Sequence, residues 1–243
     1  MVSIWGKIAG AAAGLAIGGP LGALLGGVAG HLAVDRDMAS DVEHDNRREV
    51  TFTIAMIALG AKMAKADGRV TRDEVKAFRQ VFKVAPGEEE NVGRVFDLAK
   101  QDTAGFEAYA DQIAALFADD RELLNNVIDG LFHIATIDGV LHTAEDAYLT
   151  EVARRFGLTD IEYRQVRARF APDDRGDPYA ILGVAPDVSD DALRRQYRRL
   201  MAEHHPDRAL ARGLPEEFIA IATAKAAAIN EAYETIADER GLT

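Results

Sequence analysis

Ser189-Asp190-Asp191-Ala192-Leu193-Arg194-Arg195-Gln196-Tyr197-Arg198-Arg199-Leu200-Met201, with His205-Pro206-Asp207 close behind it, is the stretch that decides the fold. Leu193, Tyr197 and Leu200 recur at three- and four-residue spacing, which predicts a helix with one apolar stripe. Arg194/Arg198 and Arg195/Arg199 are i,i+4 pairs, so four guanidinium groups crowd the other side. Like charges at that spacing destabilise an isolated helix, and the arrangement asks for an acidic partner. Pro206 cannot continue the helix, and His and Asp favour a turn there. Beyond the turn, Phe218, Ile221, Lys225, Ala228, Ile229, Ala232 and Ile236 predict a second amphipathic helix carrying Asn230-Glu231-Ala232-Tyr233-Glu234.

A bare His-Pro-Asp tripeptide is a weak signal, because three residues recur by chance. Order and distance give it meaning: Asp177-Pro178-Tyr179-Ala180-Ile181-Leu182-Gly183-Val184 comes first, then the basic helix, the turn and the second helix. In that order the segments resemble a J-domain, the family that stimulates ATP hydrolysis by DnaK-type chaperones. The resemblance implies that His205, Pro206 and Asp207, with Arg194, Arg195, Arg198 and Arg199, dock on the ATPase and linker region of such a chaperone. The arginines would steer the encounter and set register. Asp207 would offer a carboxylate to a bidentate arginine, Pro206 would fix the shape of the turn, and His205 would hydrogen-bond or pack. Tyr179, Leu182, Leu193, Tyr197, Leu200, Ile229 and Ala232 are the expected core. The long insert from Arg208 to Phe218 is similar to that of the membrane-anchored DnaJ-like family, which implies an N-terminal membrane segment and a TerB-like helical domain in the middle.

Composition sets limits on the rest. At 243 residues and 48% hydrophobic, the chain can bury one ordinary core and a smaller second one. Without a cysteine it holds no disulfide and no zinc ribbon. A net charge of −12 argues against nucleic-acid binding, which relies on neutralising phosphates. No Gly-x-x-x-x-Gly-Lys loop and no cysteine nucleophile is present. The expected protein is therefore not an enzyme but the activator of a partner ATPase, with no cofactor.

From Ile8 to Leu32 there are 25 residues without Asp, Glu, Lys or Arg. A helix of that length reaches about 37 Å, enough to cross a hydrocarbon core of about 30 Å. Gly10, Gly14, Gly18, Gly22, Gly26 and Gly30 fall every fourth residue and form one groove along it, the pattern that lets membrane helices approach closely. Homodimerisation through this span is the expectation. Gly18-Gly19-Pro20 offers an alternative, a glycine hairpin whose arms are too short to cross. Lys7 precedes the stretch while Arg36, Arg47 and Arg48 follow it, which favours a cytoplasmic C-terminus. The expected place is thus the bacterial inner membrane, single-pass, with the C-terminal domains in the cytoplasm.

Residues 50–170 read as helices with no convincing strand. A repeat at an offset of 71 aligns Ala66-Asp67-Gly68 through Glu74 with Ile137-Asp138-Gly139 through Glu145. Each copy is an apolar helix, an Asp-Gly turn and a second helix, and the pattern resembles the TerB-like tellurite-resistance family. That resemblance makes Asp67, Glu74, Asp138 and Glu145 metal candidates. The same residues have a plainer reading. Gly68 and Gly139 suit turns of positive φ, Thr71-x-x-Glu74 is a capping box and Thr143-x-x-Asp146 a near relative. An EF-hand is excluded, because Phe78 stands at the twelfth position from Asp67. A rival function follows, in which the TerB-like domain senses metal or stress and the J-domain only recruits. The expected class is all-α: a transmembrane helix in 1–34, a TerB-like bundle in 35–172 and a J-domain hairpin in 177–243, joined by the polar linker Asp173-Asp174-Arg175-Gly176-Asp177.

Overall fold

A computed structural model of the chain describes residues 21–22, 44–66, 105–170, 177–211 and 216–242. Among them every regular element is a helix, and the all-α expectation holds. The helices are α1 (His44–Ala66), α2 (Phe106–Leu116), α3 (Arg121–Ala135), α4 (Thr143–Arg155), α5 (Asp160–Phe170), α6 (Pro178–Leu182), α7 (Asp190–Glu203), α8 (Pro206–Ala211) and α9 (Glu216–Arg240). The chain forms two compact units, residues 1–127 and 128–243.

In the first unit the middle of α1 is apolar on every side, and a helix of that kind has to be buried. Phe52 and the run from Ile54 to Leu59 are all inside, and α1 packs against α2. Lys62 reaches from α1 over the ring of Tyr109 on α2, 5.1 Å from its centroid. Leu21 is buried too, and its N–H donates to Gln112 Oε1 at 2.9 Å. Among the described residues no helix is long and apolar enough to cross a membrane. The glycine register lies outside the described residues except for Gly22.

In the second unit α4 and α5 form a hairpin. Tyr163 holds it, donating to Asp146 Oδ1 at 2.9 Å and accepting from Thr150 Oγ1 at 2.9 Å. The ring of Phe132 lies between Tyr163 and Phe170, with centroids 5.7 and 5.8 Å away. A capping box starts α5: Thr159 Oγ1 accepts from the Glu162 N–H at 3.2 Å, and the Thr159 N–H donates back to Glu162 Oε2 at 2.7 Å.

The turn α6, the basic helix α7 and the long helix α9 share one core of Ile181, Leu182, Leu193, Leu200, Ile229, Ala232 and Ile236. Tyr179 and Tyr197 pack against its rim rather than inside it. Their hydroxyl-bearing edges explain this placement, since a buried phenol needs a partner. Tyr197 finds one: it stacks on Tyr233 at 4.1 Å and donates to Asn230 Oδ1 at 2.7 Å. The Asn-Glu-Ala-Tyr run is therefore the face of α9 that receives α7. Arg240 closes the far end, donating to the carbonyls of Pro186 and Val188 and to Asp190 Oδ1 within 2.9 Å. Gly183 takes φ +63, ends α6, and turns the chain towards α7.

Candidate functional site

The site is built on α7 and the turn that follows. Ser189 caps the helix, its Oγ accepting from the Ala192 N–H at 3.4 Å, and Asp190 and Asp191 lie in the first turn where the helix dipole favours anions. Burial of Leu193 and Leu200, with Tyr197 packed at the rim between them, fixes the roll of the helix and leaves the arginines off the buried face. Arg195, Arg198 and Arg199 are exposed and Arg194 is half-buried.

The four guanidinium groups are not equivalent. Arg194 lies 3.8 Å from Asp191, and Arg199 lies 3.9 Å from Glu203 while also donating twice to Gln196 Oε1. Arg195 and Arg198 make no ion pair among the described residues. Self-repulsion along α7 is thus relieved at both ends of the helix, and its middle holds two cations free for a partner.

The turn itself is open to solvent. Side-chain exposure is 53% for His205 and 84% for Asp207. Their spacing is set locally: His205 Nδ1 accepts from the Asp207 N–H at 3.3 Å and lies 3.5 Å from Asp207 Oδ2. Pro206 opens the short helix α8, the first helical position where its fixed φ suits and its missing N–H costs nothing. Two further residues support the turn, and neither was given that role from the sequence. Arg208 reaches back to donate to the Ala202 carbonyl at 2.9 Å, covering the end of α7. His204 caps α7, its N–H donating to the Leu200 carbonyl at 2.9 Å. Burial, and then the field of Lys225, hold the His204 imidazole neutral and push its pKa down to about 3. The doubled histidine was the available signal for a ring turned inward beside one turned outward.

The second unit also holds a buried ionic cluster. Asp129 of α3 binds Lys225 of α9, Nζ to Oδ2 2.7 Å, and accepts a hydrogen bond on Oδ1 from Arg169 of α5. Burial works to raise the Asp129 pKa, but the two cations and their hydrogen bonds overcome it and bring it down to about 2. Lys225 was legible as a lysine in an apolar stripe; its partners were not.

The metal candidates divide. Asp67 and Glu74 lie outside the described residues. Asp138 Oδ1 accepts from the Val140 N–H at 2.9 Å, in a turn where Gly139 takes φ +87. Glu145 is buried and its Oε2 accepts from the His142 N–H at 3.0 Å. The acid that caps α4 is therefore Glu145, acting on His142, rather than Asp146 acting on Thr143. Among the described residues no three acidic, histidine or cysteine side chains gather as a metal site.

Three family matches cover the chain in order. Residues 1–49 match the co-chaperone DjlA transmembrane domain, 53–168 the tellurite resistance protein TerB, and 177–241 the DnaJ domain. The co-chaperone protein DjlA of Shewanella oneidensis is 31% identical, over 81% of this chain and 80% of its own length. The chain belongs to the DjlA family. Its relatives include the co-chaperone proteins DjlA of Coxiella burnetii, 28% identical over 80% of this chain and 79% of that one, and of Legionella pneumophila, 27% identical over 79% and 76%. No solved structure matches it. The DjlA match at the N-terminus supports association with a membrane, and the DnaJ match makes the chain a J-domain co-chaperone.

Proposed function

We propose that this chain stimulates ATP hydrolysis by a DnaK-type chaperone, docking through His205-Pro206-Asp207 and the outward face of α7, and performs no chemistry of its own. The observation that carries the reading is the exposed pairing of His205 with Asp207 beside the unpaired Arg195 and Arg198. A carboxylate and two guanidinium groups held on one rigid hairpin suit a partner with an arginine and an acidic patch. Buried Leu182, Leu193 and Leu200 keep that hairpin rigid, which limits the entropy lost on docking.

The three parts have bounds of 1–34, 35–172 and 177–243 in this reading. The first holds the chain in the bacterial inner membrane as a single pass, with the rest in the cytoplasm where ATP and the chaperone are. Its glycine register pairs two copies and concentrates their J-domains at the membrane surface. The bond from the Leu21 N–H to Gln112 Oε1 favours the alternative, a segment broken at Pro20. A residue paired with a polar helix side chain is poorly placed for the middle of a lipid span. Labelling of single cysteines placed along 3–34 separates the two: a single pass protects one continuous block of about 20 positions, and a broken segment leaves the neighbourhood of Pro20 reactive.

Docking is tested by the affinity of the full chain for an ATP-bound DnaK-type chaperone. Asp207→Asn removes the carboxylate from an exposed position and should abolish binding with the fold intact. Equal binding by parent and variant contradicts the reading.

A further inference from the structure

The Asp129 cluster joins parts of the chain that belong to different family matches. Asp129 lies within the TerB match, Lys225 within the DnaJ match, and Arg169 immediately beyond the former. All three are deeply buried, with side-chain exposures of 1% for Asp129, 5% for Lys225 and 6% for Arg169. A second contact runs beside it. Ala168 of α5 belongs to the same apolar core as Ile181, Leu193 and Ile229, and Gln165 of α5 donates to the Ile181 carbonyl at 3.5 Å. Gly183 lies so close to Gln165 that a Cβ there would collide with that side chain. The last helices of the bundle and the J-domain hairpin therefore have a joint core.

Burying three charges is a poor way to gain stability, because desolvation offsets most of the attraction, and apolar side chains of the same size serve as well or better. What the charges add is direction. Asp129 satisfies Lys225 with one oxygen and Arg169 with the other, so one placement of α9 on α3 and α5 meets both demands. A shift of α9 by one turn would carry Lys225 away from Asp129 and leave the carboxylate with one of its two cations.

The helix that carries Lys225 also holds the functional turn: α8 packs along α9, and Tyr197 of α7 stacks on Tyr233 of α9 and donates to its Asn230. The placement of α9 therefore sets where α7, α8 and the turn between them stand. The field of Lys225, Asp129, Arg169 and Arg199 reaches the partly buried ring of His204.

We propose that Asp129 is a positioning residue for chaperone docking: with Arg169 and Lys225 it latches the J-domain hairpin to the bundle and, through α9, aims His205-Pro206-Asp207 at the partner. This rests on the docking role proposed above. The TerB-like domain is then a working part of the J-domain site. When the latch is loosened, only a fraction of molecules present the turn correctly, and the apparent dissociation constant rises by the inverse of that fraction.

The test uses the full chain in nanodiscs, as parent, Asp129→Asn, Asp129→Glu and the apolar triple Asp129→Leu, Arg169→Met, Lys225→Met. Amide exchange over 200–211 and the dependence of chaperone ATP hydrolysis on co-chaperone concentration are both read. Asp129→Asn should speed exchange in that segment and raise the half-saturating concentration roughly tenfold, if about a tenth of the molecules stay aligned. Maximal stimulation should be unchanged, and Asp129→Glu should recover part of the loss. The triple variant, which keeps a filled core, decides the matter if Asp129→Asn fails to fold: it should melt no lower than the parent yet show the same faster exchange and weaker half-saturation. A folded variant of either kind with parental exchange and half-saturation overturns the latch. A parent that stimulates no chaperone overturns the docking role instead, while exchange over 200–211 still judges the latch.

Discussion

Arg195 and Arg199 share one face of α7 but differ in what surrounds them. Arg199 already bonds Gln196 and approaches Glu203, whereas Arg195 and Arg198 are without ion pairs among the described residues. A cation with a partner at home gives up that contact on docking. Arg195→Ala with Arg198→Ala should therefore raise the half-saturating chaperone concentration more than Arg199→Ala does, and should flatten its dependence on salt. Titrations at low and high ionic strength check this; equal effects of all three arginines would count against it. The other residue with a distinct signature is His204. Its folded pKa of about 3 lies below the ordinary 6.5, mainly through burial and then through Lys225, with Arg169 and Arg199 acting the same way and Asp129 opposing them. The neutral ring contributes stability that is complete above about pH 6.5. It is lost as pH falls towards about 3, since the unfolded chain takes up the proton first. His133, also lowered by burial, adds to the same loss, and Asp129 joins it only as pH falls below its unfolded value of 3.8. Urea midpoints should decline from about pH 6.5 to 4, and less steeply in His204→Asn. A parallel decline would show that His204 is not the group responsible. The sequence displayed the exposed half of this site, because an HPD turn beside a basic helix is a linear pattern. The buried half was invisible, because Asp129 meets Lys225 across 96 residues of chain and Arg169 across 40.

At the scale of elements, periodicity served best where both faces of a helix have fixed tasks. In α7 and α9 the residues expected in the core are the ones that lie there, apart from Tyr197 at the rim. Capping was less legible. The capping-box pattern pointed to Thr143 and Asp146, but α4 is capped one residue earlier, at His142 and Glu145, the positions where the 71-residue offset places Thr71 and Glu74. The Thr159-x-x-Glu162 box of α5 had the required spacing, yet no long apolar run follows it to draw notice. Gly183 is the element boundary with the most at stake. Alanine there has to hold φ near +63 and displace Gln165, so Gly183→Ala should lower stability by about 1–2 kcal/mol from the backbone alone. Denaturant unfolding checks the value, and Gly139→Ala, at positive φ with open space around it, is the control that isolates the backbone contribution.

For the whole molecule, three family matches and two compact units do not share boundaries. The unit that carries the J-domain begins at Ile128, inside the TerB match. Linear reading places a domain boundary in a polar linker, here at 173–177, and so separates helices that packing brings together. The membrane segment was legible as an apolar, charge-free run, and the pairing proposed for it rests on the glycine spacing. Gly18→Leu with Gly22→Leu should abolish self-association in membranes, read by energy transfer between labelled copies; unchanged transfer would remove the glycine groove as the contact. Every role assigned to these helices depends on the exposed turn acting on a chaperone. The most direct measurement is single-turnover ATP hydrolysis by a cytoplasmic DnaK-type chaperone, with the full chain in nanodiscs and with its His205→Gln variant. Hydrolysis should be faster with the parent and show none of that acceleration with the variant, both being equally folded. Acceleration that survives the substitution, or a folded parent that gives none, would contradict that action of the turn.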